Sequence, residues 1–238
     1  MIFESISNKF QLRLKDRANA ASILGEALKD VIGSRQEQTK DTFVLGIPRG
    51  GVVIADIIAR KLSCKFDIII SRKLRAPHNE ELAIGAIMED GTTYLNEVIV
   101  KELGMPFDYI EEEKARQLEE IKRRSALYYA STPRTDVKIN LNDKNVVLAD
   151  DGAATGSTVI AASRWIRATY KPSRFIIAIP VAPKDTVNLL KRESIDHIEV
   201  ITSPSSSNFR SVGQYYQNYD PVSNEMVSEI VSKSLRRF

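Results

Sequence analysis

The feature that most restricts the fold is a unit met twice: a short apolar run, a turn of small residues and an apolar helix. TFVLGI, at 42–47, has strand character and is followed by Pro48-Arg49-Gly50-Gly51 and then by VVIADIIARKL, a helical pattern; CKFDIIIS follows as the next strand. VVLA, at 146–149, runs into Asp150-Asp151, a stretch of small and hydroxylated residues, and a helix expected from about Gly156 to Ala168. RFIIAIPVA, PKDTVNLLKRE and HIEVITSP continue as strand, helix and strand. Strands joined through helices pair in parallel, with right-handed crossovers. The expectation is an α/β protein with a doubly wound, mainly parallel sheet, in which ligands bind at the carboxyl ends of the strands.

Between and around these units lie segments of other kinds. A first helix is expected from about Lys15 to Ile32, closed by Gly33. The stretch 72–97 opens as a polar loop and then offers AIGAIM and TYLN, separated by Glu89-Asp90-Gly91-Thr92, a hairpin signal. From Asp108 to about Tyr129 the chain is dense in charge, with Glu111 to Glu113 early and Lys122 to Arg124 late, which suits the helix dipole. Asp108 and Glu111 read there as a capping box on a solvated helix without an apolar seam. Ser223 is placed to cap a terminal helix carrying Val227, Ile230, Val231 and Leu235.

Composition narrows the function classes. With 238 residues, 43% hydrophobic and 27% charged, the chain suits one large domain, and no stretch reaches the roughly 20 apolar residues needed to span a bilayer. MIFESISNKFQLRLKDR lacks the apolar core of a signal peptide, so a cytoplasmic location is expected. Cys64 is the lone cysteine and His78 and His197 the only histidines, which argues against a disulfide framework or a zinc site. A formal net charge of +3 suits anionic small molecules and gives no case for nucleic acid or membrane as a partner.

The turn VVLADDGAATGST carries the strongest functional signal. Two adjacent carboxylates at a strand end repel, and seven small residues give little to a core. Gly152, Ala153, Ala154 and Gly156 let a ligand approach the backbone, Thr155, Ser157 and Thr158 add hydroxyls, and the helix start supplies unpaired N–H groups for an anion. A ligand with vicinal hydroxyls at one end and a phosphate at the other, such as ribose 5-phosphate, satisfies both ends. The spacing is not that of a Walker loop, and no strand is followed by GxGxxG.

These residues resemble the 5-phosphoribosyl-1-pyrophosphate (PRPP) motif of type I phosphoribosyltransferases: four apolar residues, two acidic, and a small loop ending Thr-Gly-x-Thr. GIPRGG resembles their pyrophosphate loop and RKLRAPHNEELAIGAI the start of their flexible catalytic loop, so the likeness covers about 42–220. The group with an RKL…AP.N.ELAIGA segment is the nearest in pattern. The resemblance implies a single domain over 1–238, with its core at about 42–202, the flexible loop at about 73–96, a charged helical insertion at about 107–130, and a hood at about 203–220 followed by the terminal helix. It implies transfer of a phosphoribosyl group from PRPP to a nitrogenous acceptor with release of pyrophosphate, Mg2+ as cofactor, and a homodimer as the common assembly.

Residue by residue, the resemblance assigns PRPP binding to Asp150, Asp151, Gly152, Ala153, Ala154, Thr155, Gly156, Ser157 and Thr158, with Asp150 or Asp151 as the contact to the metal. Pyrophosphate falls to Arg49, Gly50, Gly51 and Lys73, and the catalytic set is Arg49 with Lys73 and Arg72; one of the latter two, ending the second strand, neutralises pyrophosphate. Arg75, His78 and Glu80 belong to the lid, in which a polar loop at 75–81 closes over PRPP. Such enzymes often hold a cis peptide in the pyrophosphate loop. The hood strand FRSVGQYYQNYD offers Phe209, Tyr215 and Tyr216 to stack a base, with a purine as one acceptor. Two departures bear on that acceptor. Ala154 stands where some members carry a general-base Asp, and Ala182 precedes Pro183 where 6-oxopurine enzymes place a Lys. A PRPP-binding sensor without turnover is the alternative.

Overall fold

The computed structural model describes residues 13–33, 39–77, 79–130 and 139–236. Apolar runs form the strands β1 (Thr42–Gly46), β2 (Lys65–Ile68), β3 (Ser71–Ala76), β4 (Asn79–Met88), β5 (Thr93–Leu95), β6 (Asn145–Ala149), β7 (Arg174–Val181) and β8 (His197–Thr202). The central sheet is wholly parallel, in the order β2-β1-β6-β7-β8, with Val147 facing Val44 on one side and Ile176 on the other. From β1 the chain winds outward to β2, and from β6 it winds the opposite way to β7 and β8. The order therefore reverses between β1 and β6, the place where open α/β sheets characteristically form a ligand crevice at the carboxyl ends of their strands.

Both faces of the three middle strands, β1, β6 and β7, are buried, which explains why they read as apolar runs, whereas the edge strand β8 is only half-buried. Val44, Val147 and Ile176 pack with Leu24 and Leu28 of α1 (Arg17–Ile32), Ile54 and Ile58 of α2 (Gly50–Leu62), and Val227 and Val231 of α7 (Asn224–Leu235). Leu45, Leu148, Phe175 and Ile177 face the other way, onto Val159, Ile160 and Ile166 of α5 (Ser157–Thr169). Ser223 caps α7 as its position predicts, accepting from Met226 N. A short helix α6 (Lys184–Leu190) joins β7 to β8. Among the described residues no helix is long and apolar enough to cross a membrane.

Several expectations need correction. Most of the stretch read as a polar loop is strand: β3 pairs antiparallel with β4, and β4 with β5, forming a separate three-stranded sheet. Leu74 and Ala76, two apart in β3, are buried and supply a packed face that the charged Arg72, Lys73 and Arg75 conceal in the sequence. Arg72 and Lys73 accordingly lie on β3 and do not end a strand of the main sheet. His78 and the side chain of Glu80 lie outside the described residues.

The charged helix is α4 (Phe107–Tyr128), following the short α3 (Glu97–Glu102). Its cap position is Pro106 with no side-chain cap bond, so the Asp108–Glu111 capping box does not form. Nor is it wholly solvated: Ile110, Ile121 and Tyr128 are buried, with Glu113 and Gln117 buried between them. These two polar residues hide the seam from a hydrophobicity pattern, yet both are satisfied. Glu113 Oε1 accepts from Arg75 N at 3.1 Å and from Gln117 Nε2 at 2.9 Å, while Gln117 Oε1 accepts from Arg72 Nε at 2.9 Å. A helix thus grips β3 through polar bonds.

The hood, predicted as a strand, is built from two turns of 3₁₀ helix, Ser206–Asn208 and Val212–Tyr215. Its backbone pairing is made by the chain before α1: Leu14 N donates to Tyr215 O at 2.8 Å, and Gln217 N to Leu14 O at 2.8 Å. Replacing the buried acceptor on α4, Glu113→Ala, removes the bonds that Arg75 N and Gln117 Nε2 donate to it. A loss of about 1.5–3 kcal/mol is expected in urea unfolding, with reduced hydrogen-exchange protection at the Arg75 amide.

Candidate active site

The turn after β6 begins with two carboxylic acids at the edge of the core, Asp150 and Asp151, each only 9% exposed. Asp150 Oδ1 accepts from Asp151 N at 2.8 Å. Burial, followed by the neighbouring negative charge of Asp151, pushes the Asp150 pKa well above the usual carboxylate range, with Lys73 acting in the opposite sense. Beyond the pair, Ala153 N donates to Val181 O at 2.9 Å, and Thr186 Oγ1 donates to Ala154 O at 2.6 Å, which ties the loop to β7 and α6. Gly156 has φ +74°, a left-handed conformation that starts α5 with a sharp bend. Ala153, Gly156 and Ser157 are buried, while Gly152, Ala154, Thr155 and Thr158 keep some exposure. Thr155 Oγ1 and Ser157 Oγ lie 2.9 Å apart, so part of the hydroxyl set is engaged within the loop.

The turn after β1 meets this pair directly. Ile47 N donates to Ala149 O at 3.0 Å, the Pro48–Arg49 peptide is cis, and Arg49 is exposed at the start of α2. A Cβ placed on Gly50 would lie 1.7 Å from Asp151 Oδ2, and one on Gly51 would lie 2.6 Å from Ala149 O. The glycines are required by this approach as well as by any need to expose N–H groups. Arg49 and Arg72 both act on the Tyr128 phenol, so the two guanidiniums share its surroundings.

Arg72 and Lys73 part company. Lys73 is exposed and acts electrostatically on Asp150, whereas Arg72 faces α4 and bonds Gln117. Burial, followed by the charges of Arg124 and Arg75, brings the Arg72 pKa down to about 10, and the group stays cationic at neutral pH. Arg75 is half-buried on the same strand, its backbone N–H held by Glu113.

In the hood, Phe209 is half-buried and stacks on Tyr215, centroids 5.8 Å apart, while Tyr216 stacks on Tyr219 at 4.9 Å. Tyr215 and Tyr216 are buried, so neither offers the open face expected for a base; the rings pack on one another. Their phenols are used instead. Tyr216 OH donates to Asp151 O at 2.7 Å, and Tyr219 OH to Asp151 Oδ2 at 2.9 Å. The same Oδ2 receives Arg17 Nε at 2.7 Å. Arg17 and Tyr219 were not marked by sequence reasoning. Arg17 belongs to no motif, and Tyr219 stood unselected within the aromatic stretch.

With the geometry in view, similarity to known proteins decides the family. The model of the phosphoribosyl transferase domain matches residues 11–218. The chain belongs to the phosphoribosyl transferase domain family. It is 32% identical over 223 residues to a Mycobacterium tuberculosis protein named "Putative phosphoribosyl transferase", found in two strains. That match takes in 94% of this chain but 47% of the relative, so the chain spans about half the length of the curated relatives it matches. A crystal structure of the Thermus thermophilus protein TT1426 is 34% identical, with a TM-score of 0.72, covering 93% of this chain and 99% of that one.

Within this phosphoribosyl transferase domain, the arrangement offers hydrogen-bond acceptors at Asp150 and Asp151, cations at Arg49 and Lys73, and the N-terminus of α5 at the far end of one loop. Two adjacent carboxylates suit a hard cation that arrives with phosphate ligands of its own. Among the described residues no group of three or more His, Cys, Asp or Glu forms a metal cage.

Two outcomes are expected. Gly50→Ala forces Asp151 or the loop to move and should lower the melting temperature with the helical circular dichroism signal retained below the transition. A carboxyl whose folded pKa is raised costs stability increasingly as pH climbs above its unfolded value. Asp150→Asn should therefore raise the melting temperature at pH 7–8, by about 2–4 °C for each kcal/mol of repulsion relieved, and the gain should shrink as pH falls towards 4.

Proposed function

We propose that this chain transfers the 5-phosphoribosyl group of PRPP to a nitrogenous acceptor and releases pyrophosphate. One observation carries the reading: the turn bearing Arg49 packs through Gly50 onto Asp151, beside Lys73 and Asp150. A ligand lying across the crevice between β1 and β6 then meets acceptors for its sugar hydroxyls and cations for its pyrophosphate at once.

In this reading Asp150 and Asp151 accept from the two ribose hydroxyls. The residues 152–158 and the first-turn N–H groups of α5 hold the 5-phosphate. The bond from C1 to the pyrophosphate oxygen breaks as the acceptor nitrogen's lone pair closes on C1, and the electron pair leaves with pyrophosphate. Negative charge grows on that oxygen, so Arg49 and Lys73 do their stabilising there, and Arg72 supports the same flank through Tyr128. Mg2+, held by Asp150 or Asp151 together with PRPP, would neutralise pyrophosphate charge as it departs. Arg75, His78 and Glu80 belong to the segment assigned as a lid that excludes water.

The acceptor is a nitrogenous base, with a purine as one member of the panel to be tested; Ala154 supplies no general base, so the proton leaves the acceptor by another route. Of the three hood rings, Phe209 is the one that keeps some exposure, which supports it as the ring to stack on the acceptor. The setting is nucleotide metabolism in the cytoplasm.

Pyrophosphate release from PRPP and Mg2+, measured across purines, pyrimidines and simple amines alongside the PRPP-induced melting shift, tests the reading. Release with one acceptor supports it. A melting shift without release across the panel favours the PRPP sensor, and the absence of both signals refutes both readings. Arg49→Ala is expected to lower kcat about 100–1,000-fold with an unchanged melting temperature.

A further inference from the structure

The carboxylate of Asp151 is held from outside its own loop. Arg17 Nε and Tyr219 OH both donate to Oδ2, at 2.7 and 2.9 Å, and Tyr216 OH donates to the backbone oxygen at 2.7 Å. The Arg17 and Asp151 side chains are only 11% and 13% exposed, so solvent screens the pair weakly. Burial opposes the Arg17 charge, yet the Asp151 carboxylate overrides it and raises the pKa. Burial, with Asp151 nearby, keeps both tyrosines protonated and so able to donate.

Arg17 is itself fixed on every side. Its guanidinium carbon sits 3.9 Å from the centroid of the Tyr219 ring, and Nη1 donates to Asp220 O at 2.7 Å. Its helix is capped by Asp16, which accepts from Asn19 N at 2.7 Å. The chain just before it is stitched to the hood, Asn218 N donating to Lys15 O at 2.9 Å in addition to the two bonds at Leu14. The hood touches the same loop elsewhere, since a Cβ on Gly152 would lie 2.3 Å from Val212 Cγ1.

We propose that Arg17, assisted by Tyr219, is a positioning residue for sugar binding: it holds Asp151 by Oδ2 and leaves Oδ1 to accept from a ribose hydroxyl. The inference rests on the PRPP reading given above. Two donors on one oxygen orient the carboxylate, and charge-assisted bonds of this kind are the strong ones. A cation that merely plugged the sugar site would have to leave on binding. Arg17 is instead anchored by a ring and a second acceptor that belong to the hood.

The test titrates the wild type, Arg17→Ala, Arg17→Lys and Tyr219→Phe by calorimetry with ribose 5-phosphate and inorganic pyrophosphate, both without metal, and with PRPP and Mg2+. Arg17→Ala should weaken ribose 5-phosphate and PRPP at least about ten-fold, Arg17→Lys should recover part of the loss, and Tyr219→Phe should cost less. Pyrophosphate, which needs only the Arg49 side of the crevice, should bind all four proteins alike. Unchanged sugar binding in Arg17→Ala overturns the inference and leaves the PRPP reading standing. Tighter binding overturns it too and makes Arg17 a plug. A parallel loss of pyrophosphate marks general damage and also counts against it. Where Arg17→Ala does not fold, Tyr219→Phe decides, and equal sugar affinity in that variant sinks the idea. Wild-type protein that binds none of the three ligands brings down the PRPP reading and the inference with it.

Discussion

The approach of Gly50 and Gly51 to the Asp150–Asp151 turn is the contact on which the rest of the site depends. It occurs where the strand order reverses, so that two loops from adjacent parallel strands face each other across the sheet edge. A side chain at either glycine would push the loops apart and separate the cationic end from the carboxylates. The backbone bond from Ile47 N to Ala149 O holds the same junction from beneath. Strand pairing, loop composition and charge placement thus serve a single geometry.

Charge balance explains much of what surrounds that junction. Two carboxylates brought to the margin of a core repel, and the Asp150 pKa rises in response to burial and to its neighbour. The protein offsets the second charge with Arg17, and the exposed Lys73 acts against the charge cost at Asp150. Phosphate groups would complete the balance. The hood shares in that balance, because its phenols and its arginine partner all converge on Asp151.

The small antiparallel sheet shows a second use of buried polarity. Glu113 and Gln117 form a short relay that reaches the backbone at Arg75 and the side chain of Arg72. A purely apolar seam would bury the same strand face without choosing the orientation of a guanidinium. By sending Arg72 to α4 and Lys73 to the crevice, the alternation of β3 separates two cations that are adjacent in sequence.

Local pattern was enough for the main sheet. Apolar runs such as VVLA and RFIIAIPV, buried on both faces, announce parallel strands, and Asp150-Asp151 before seven small residues announces a turn with work beyond packing. Those signals are local because strand burial and turn chemistry are decided over a few residues. The sequence missed elements whose stability comes from distant partners: β3 behind its Arg and Lys residues, the buried face of α4 behind Glu113 and Gln117, and the hood that pairs with Leu14. It also could not tell Tyr216 and Tyr219 as phenols bonded to Asp151 from rings free to stack. Arg17 lies 134 residues from Asp151 along the chain, and no spacing rule links them. The sequence by itself determined the alternation of strands and helices and the residue types of the two loops; only the tertiary structure decided which charges meet, because ion pairs and hydrogen bonds of this kind exist only once the chain has brought remote segments together.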